Sequence, residues 1–116
     1  MPLVKILTSV KCDEKKKNSL VKQLSAATAS GTHKPEEYVA AVLEDDAVIS
    51  FRGEICKAAF AEVKGIGGLS PDVNKALSAE ICKILEEELE ISPSNIYINF
   101  TEVPATNWGW NGSTFG

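Results

Sequence analysis

The chain has 116 residues, 44% of them apolar, with a formal net charge of −4 and a pI near 5.0. That length and composition fit one domain with its own core. The acidic balance and the lack of a basic patch argue against nucleic acid as a partner. Three cysteines, Cys12, Cys56 and Cys82, without a C-x-x-C, and a single histidine, His33, indicate neither a disulfide framework nor a metal site. Reduced thiols in a cytoplasmic protein are the expectation. No apolar run reaches membrane-spanning length and no secretory leader is recognised, so no membrane partner is expected.

The chain opens Met1-Pro2-Leu3-Val4. Removal of Met1 leaves Pro2 with a free secondary amine, a base that no side chain supplies. A free α-amino group titrates at about 7.7–8.0, and desolvation lowers that value. Pro2 to Thr8 is short, apolar and β-rich and predicts a mostly buried strand. Asp13 is suited to cap a helix that begins at Glu14. Leu20, Val21, Leu24, Ala27 and Thr28 carry its helical spacing, and Gly31 is expected to stop it. Lys34-Pro35-Glu36-Glu37 reads as a turn, followed by a strand over Tyr38 to Leu43. Glu44-Asp45-Asp46 breaks that strand, Ala47 to Phe51 forms a short extension, and Arg52-Gly53 turns the chain.

A further strand is predicted within Ile55 to Lys64, where Ala59, Ala61 and Val63 alternate with Phe60 and Glu62. Gly65-Ile66-Gly67-Gly68 follows; without a phosphate fingerprint it reads as a tight turn. Ser70, Pro71 and Asp72 begin a second helix by cap, first-position proline and first-turn acid. Its apolar stripe is Val73, Leu77, Ile81, Ile84 and Leu85, and Glu86-Glu87-Glu88 is a solvated face. Ser92-Pro93 closes it. In the strand from Asn95 to Val103, Ile96, Ile98 and Phe100 point one way and Tyr97, Asn99 and Thr101 the other. Pro104 ends it before a tail rich in aromatics and glycine.

Lys34-Pro35 and Ser92-Pro93 each precede a strand, 58 residues apart, and the other elements repeat at about that offset. The fold class is therefore α+β: two consecutive βαβ units forming a four-stranded sheet with two helices on one face. One layer of helices leaves the other face, with Tyr97, Asn99 and Thr101, to meet water or a second subunit. A second subunit is the expectation.

Pro2, Lys34-Pro35, Ile66-Gly67-Gly68, Ile91-Ser92-Pro93, Tyr97-Ile98-Asn99 and Gly109-Trp110-Asn111-Gly112-Ser113-Thr114-Phe115 occur in this order. As a set, over essentially the whole chain, they resemble the macrophage migration inhibitory factor family of the tautomerase superfamily. The resemblance implies a homotrimer with a central barrel and sites between subunits. It implies Pro2 as catalytic base, Lys34 as the partner of an acidic substrate oxygen, and Val63 and Lys64 as backbone contacts to substrate. Tyr97 and Asn99 would come from the neighbouring subunit, and Tyr38, Trp108, Trp110 and Phe115 would form the rim. The implied reaction is keto–enol tautomerisation of a phenylpyruvate-type aryl α-keto acid, without metal or organic cofactor. A second implied function is binding or signalling through a receptor, with the pocket vestigial or used for recognition. Two positions depart from the family. Cys56-Lys57-Ala58-Ala59 lacks the animal proteins' second cysteine, so no dithiol chemistry is expected. Trp108 stands where a smaller apolar residue is usual and is expected to narrow the pocket mouth or to shift substrate preference.

Overall fold

A computed structural model describes residues 1–116. The chain runs β1 (Leu3–Thr8), α1 (Glu14–Thr32), β2 (Ala40–Glu44), β3 (Ser50–Phe51), β4 (Glu54–Ile55), β5 (Ala59–Gly65), α2 (Pro71–Leu89), β6 (Ile96–Glu102), β7 (Gly109–Trp110) and β8 (Ser113–Thr114). The main sheet has the order β2-β1-β5-β6. β1 pairs in parallel with β2, β5 pairs in parallel with β6, and β1 joins the two halves by antiparallel pairing with β5. Two βαβ units therefore meet along their first strands. Their starts repeat closely: Leu3 to Ala59 and Ala40 to Ile96 are 56 residues apart, and Glu14 to Pro71 is 57.

Alternation along the strands divides the sheet into two faces. Val4, Ile6, Ala59, Ala61 and Val63 are buried with Leu20, Leu24, Leu77, Ile81 and Leu85 of the helices, making one core. The opposite face carries three cross-strand rows set by the register: Ala40–Leu3–Lys64–Thr101, Val42–Lys5–Glu62–Asn99, and Glu44–Leu7–Phe60–Tyr97. No helix of the chain covers it; only Phe51 of β3 packs there, with its ring 4.7 Å from that of Tyr97. Phe60 is 42% and Tyr97 67% exposed there. Aromatics left open on a sheet face mark a contact surface.

Both helices start as the sequence predicts: Asp13 accepts from the Lys16 amide, and Ser70 accepts from the Val73 amide with Pro71 next. The end of α1 is different. Gly31 lies inside the helix, where a Cβ would sit 3.2 Å from Leu77 Cδ1; the glycine serves the approach of α2. His33 takes the left-handed cap (φ 58°). The amides of His33 and Lys34 donate to the carbonyls of Ser30 and Ala29, closing the helix in the manner of a Schellman turn.

Two strand starts also differ. Glu36–Tyr38 is a 3₁₀ turn, so Tyr38 precedes β2 and does not belong to it. Ile55 pairs with Ser50 in a separate hairpin, and β5 begins at Ala59. That hairpin turns through Arg52 and Gly53, both at positive φ (53° and 80°), the type I′ geometry of a two-residue loop.

Beyond β2, Asp45 fastens the chain to the N-terminal end of α1. Its carboxylate accepts from the Cys12 amide at 2.8 Å and pairs with Lys17 at 3.1 Å. These contacts, the Cys12 amide first, hold its pKa below the usual carboxylate value. A depressed folded pKa means that the contribution is present above the unfolded pKa of about 3.9 and is lost as pH falls through the folded value. Asp45→Asn is expected to lower the urea midpoint at pH 7 and to approach the wild-type midpoint by pH 3. Equal midpoints at pH 7 would show that the contact adds nothing.

Candidate active site

β1 is an inner strand, so the first residues of the chain are fixed in the sheet. Pro2 is buried, and its carbonyl accepts from the Ala40 amide at 3.1 Å. Four connections converge at this end: the start of β1, the approach to β2, the loop after β5, and the exit from β6, where the Val103 amide donates to Gly65 O at 2.8 Å.

Lys34 reaches this end by passing close against Gly68. A Cβ on Gly68 would lie 2.9 Å from Lys34 Cε and 3.2 Å from Thr32 O, and Gly68 also has φ +79°. A side chain at Gly68 would be strained by the backbone and would push the Lys34 stem aside. Met1 carries the terminal amine here. Its pKa is lowered, first by burial and then by the Lys34 ammonium. The sheet end thus disfavours a cation at the start of the chain, with a lysine close enough to act on it.

The remaining candidate residues separate into groups. Val63 is fully buried and points into the core, so only its backbone is available to a ligand. Lys64 lies opposite Leu3 on the open face and stands 3.9 Å from Glu62. Tyr38 is exposed in the turn after Lys34. Beyond Pro104, Trp108 is half-buried and its carbonyl accepts from the Phe115 amide. Trp110 and Phe115 stack at 5.9 Å with planes 10° apart, at a hairpin that turns through Asn111-Gly112.

Tyr97 and Asn99 do not join this group within one chain. Tyr97 aligns through Phe60 with Leu7, and Asn99 through Glu62 with Lys5. Strand rise and spacing then put their backbones about 19 Å and about 14 Å from Pro2, far beyond hydrogen-bond reach. Asn99 is nevertheless set up as a donor. The Thr101 hydroxyl donates to its amide oxygen at 2.8 Å, leaving the NH₂ for another acceptor. Thr101, read from the sequence only as a face residue, orients that amide; a threonine two positions along the same strand face was the signal.

The macrophage migration inhibitory factor family model matches residues 1–116. The Xenopus laevis macrophage migration inhibitory factor is 35% identical over 115 residues, 99% of each chain. The crystal structure of the macrophage migration inhibitory factor-like protein of Entamoeba histolytica superposes with a TM-score of 0.94 at 35% identity, covering 98% of each chain. The Prochlorococcus marinus homologue gives 0.94 at 39% identity, covering 98% of this chain and 99% of its own. The chain belongs to the macrophage migration inhibitory factor family, within the tautomerase superfamily.

Membership in this family supports an isomerase of tautomerase type or a cytokine-like function, and the family fold is typically oligomeric. Within this chain, Lys34 passes close against Gly68. Gly68→Ala is expected to cost about 1–2 kcal/mol from the left-handed backbone alone. It should also displace Lys34 and raise the pKa of the terminal amine. Lys34→Ala should raise that pKa with little loss of stability. Amine titration by NMR checks both; an unchanged amine in Lys34→Ala would remove Lys34 from the site.

Proposed function

We propose that this protein is a tautomerase in which Pro2, exposed as the terminal residue by removal of Met1, is the general base. The observation that carries this reading is the environment of the chain start: burial and Lys34 both lower the pKa of the terminal amine. The same surroundings acting on Pro2 keep its amine neutral at lower pH than an exposed terminal amine.

The substrate class is a phenylpyruvate-type aryl α-keto acid. Lys34 pairs with its carboxylate, and the rim of Tyr38, Trp108, Trp110 and Phe115 receives its ring. The Pro2 amine removes a proton from C3, the electron pair moves to the C2 carbonyl oxygen, and the resulting ammonium returns the proton to that oxygen. One proton changes place, nothing is oxidised or reduced, and no metal or organic cofactor is required. Proton transfer by a well-placed base contributes about 10²–10⁴-fold. The Asn99 amide and the Tyr97 hydroxyl donate to the developing enolate. Because both lie far from Pro2 of their own chain, they belong to the site of a neighbouring subunit in a homotrimer, with the open sheet faces lining a central barrel.

Two outcomes follow. Mass spectrometry should find the active chain without Met1, and its tautomerisation of phenylpyruvate should rise with pH through a midpoint below the exposed-amine value of about 8. A folded form retaining Met1 has an amide nitrogen at Pro2 and should be inactive. Equal rates in the two forms would exclude Pro2 as the base. Light scattering should give a trimeric mass at micromolar concentration; a monomer would leave the site incomplete.

A further inference from the structure

The residue outside this site with the most purposeful geometry is Arg52. It occupies the first position of the β3–β4 turn at φ 53°, a region that an arginine enters only at a cost. Its guanidinium makes two hydrogen bonds across the fold. Nη1 donates to the Ser94 carbonyl at 3.0 Å, and Nη2 donates to Asn95 Oδ1 at 2.6 Å. Asn95 in turn donates from Nδ2 to the Lys57 carbonyl at 3.2 Å. The guanidinium carbon also lies 5.4 Å from the centre of the Phe51 ring. Arg52 thereby fastens the hairpin to the segment that launches β6. This places the Phe51 ring 4.7 Å from the ring of Tyr97, tilted by 43°.

Tyr97 needs such a restraint. It is 67% exposed on the open sheet face, and its neighbour in the register, Phe60, is itself partly exposed. A side chain so placed samples several rotamers unless something packs beside it. A cleft of about 300 Å³ bounded by Phe51, Arg52, Phe60 and Tyr97 leaves it room to move on that side.

We infer that Arg52 and Phe51 form a clamp that fixes the Tyr97 ring for use by the neighbouring subunit's site. Arg52 is a positioning residue: it acts through Phe51 and Tyr97 and touches no substrate. The inference rests on the proposed role of Tyr97 and adds the device that holds it.

Turn chemistry supplies a clean test. Arg52→Asn makes the turn Asn-Gly, the pair favoured in type I′ hairpins, so the hairpin is kept while the guanidinium is lost. The protein has two tyrosines, Tyr38 and Tyr97, so uniform 3-fluorotyrosine labelling gives two ¹⁹F resonances. In Met1-free protein, Arg52→Asn and, separately, Phe51→Leu should move the Tyr97 resonance toward that of free fluorotyrosine and leave Tyr38 in place. kcat/KM for phenylpyruvate should fall about three- to tenfold, the factor carried by one aromatic pair, mostly through kcat because Tyr97 donates to the developing enolate. Arg52→Lys, which keeps the charge and loses the fork, should recover only part of the effect. The melting temperature of Arg52→Asn should be unchanged or higher. An unmoved Tyr97 resonance in Arg52→Asn would overturn the clamp. A moved resonance with kcat/KM unchanged both there and in Tyr97→Ala would instead remove Tyr97 from the site, and the inference with it.

Discussion

The start of the chain is held between two strands, β2 on one side and β5 on the other, and the rest of the site depends on that pinning. Chain termini ordinarily fray because nothing ties them down. Here Pro2 is buried and its carbonyl is bonded to the Ala40 amide. A terminal amine in this setting gains what a flexible terminus lacks: a fixed position, partial removal of water, and a fixed cation nearby. The cost falls on other residues. A side chain at Gly68 would crowd the Lys34 stem, and His33 adopts a left-handed conformation where α1 ends and Lys34 begins.

The same topology separates the parts of the proposed site within one chain. β1 and β5 are antiparallel, so the loop after β5 and the exit of β6 return to the Pro2 end while Tyr97 lies toward the opposite one. A proton-transfer site needs donors around the developing charge as well as a base. Those on β6 face away from their own Pro2. The open face is also mixed in character. Lys5 pairs with Glu44 at 3.3 Å and sits opposite Glu62, beside the aromatics Phe60 and Tyr97. Charges of this kind are costly to bury. In the proposed trimer they would face a water-lined barrel interior.

Much of this was legible in the sequence because the informative residues report local physics. Ser70-Pro71 and Asp13 are helix starts by hydrogen bonding alone, and alternation in β6 correctly put Tyr97, Asn99 and Thr101 on one face. The misread positions were decided by contacts distant in the chain. Gly31 looks like a stop, but it is small because Leu77, 46 positions later in the chain, presses on it. Tyr38 and Ile55 have strand-forming side chains, yet a 3₁₀ turn and a local hairpin claim them. Arg52-Gly53 was recognisable as a turn. Nothing in its sequence says that the guanidinium reaches Ser94 and Asn95, because that bond joins the two repeats. The Gly68–Lys34 contact was hidden for the same reason: each residue has an ordinary local role, and only the fold brings them together.

The proposed site is shared between subunits, with the base from one chain and Tyr97 and Asn99 from the next. Subunit complementation tests this directly. One chain carries an extra residue before Pro2, which blocks its amine; the other, free of Met1, carries Tyr97→Ala and Asn99→Ala. Each is expected to be nearly inactive on phenylpyruvate by itself. Unfolded together and refolded as mixed trimers, they should regain activity, because some interfaces then join an intact Pro2 to an intact Tyr97 and Asn99. Mixed trimers, verified by native mass spectrometry, that remain as inactive as either parent would contradict the shared site.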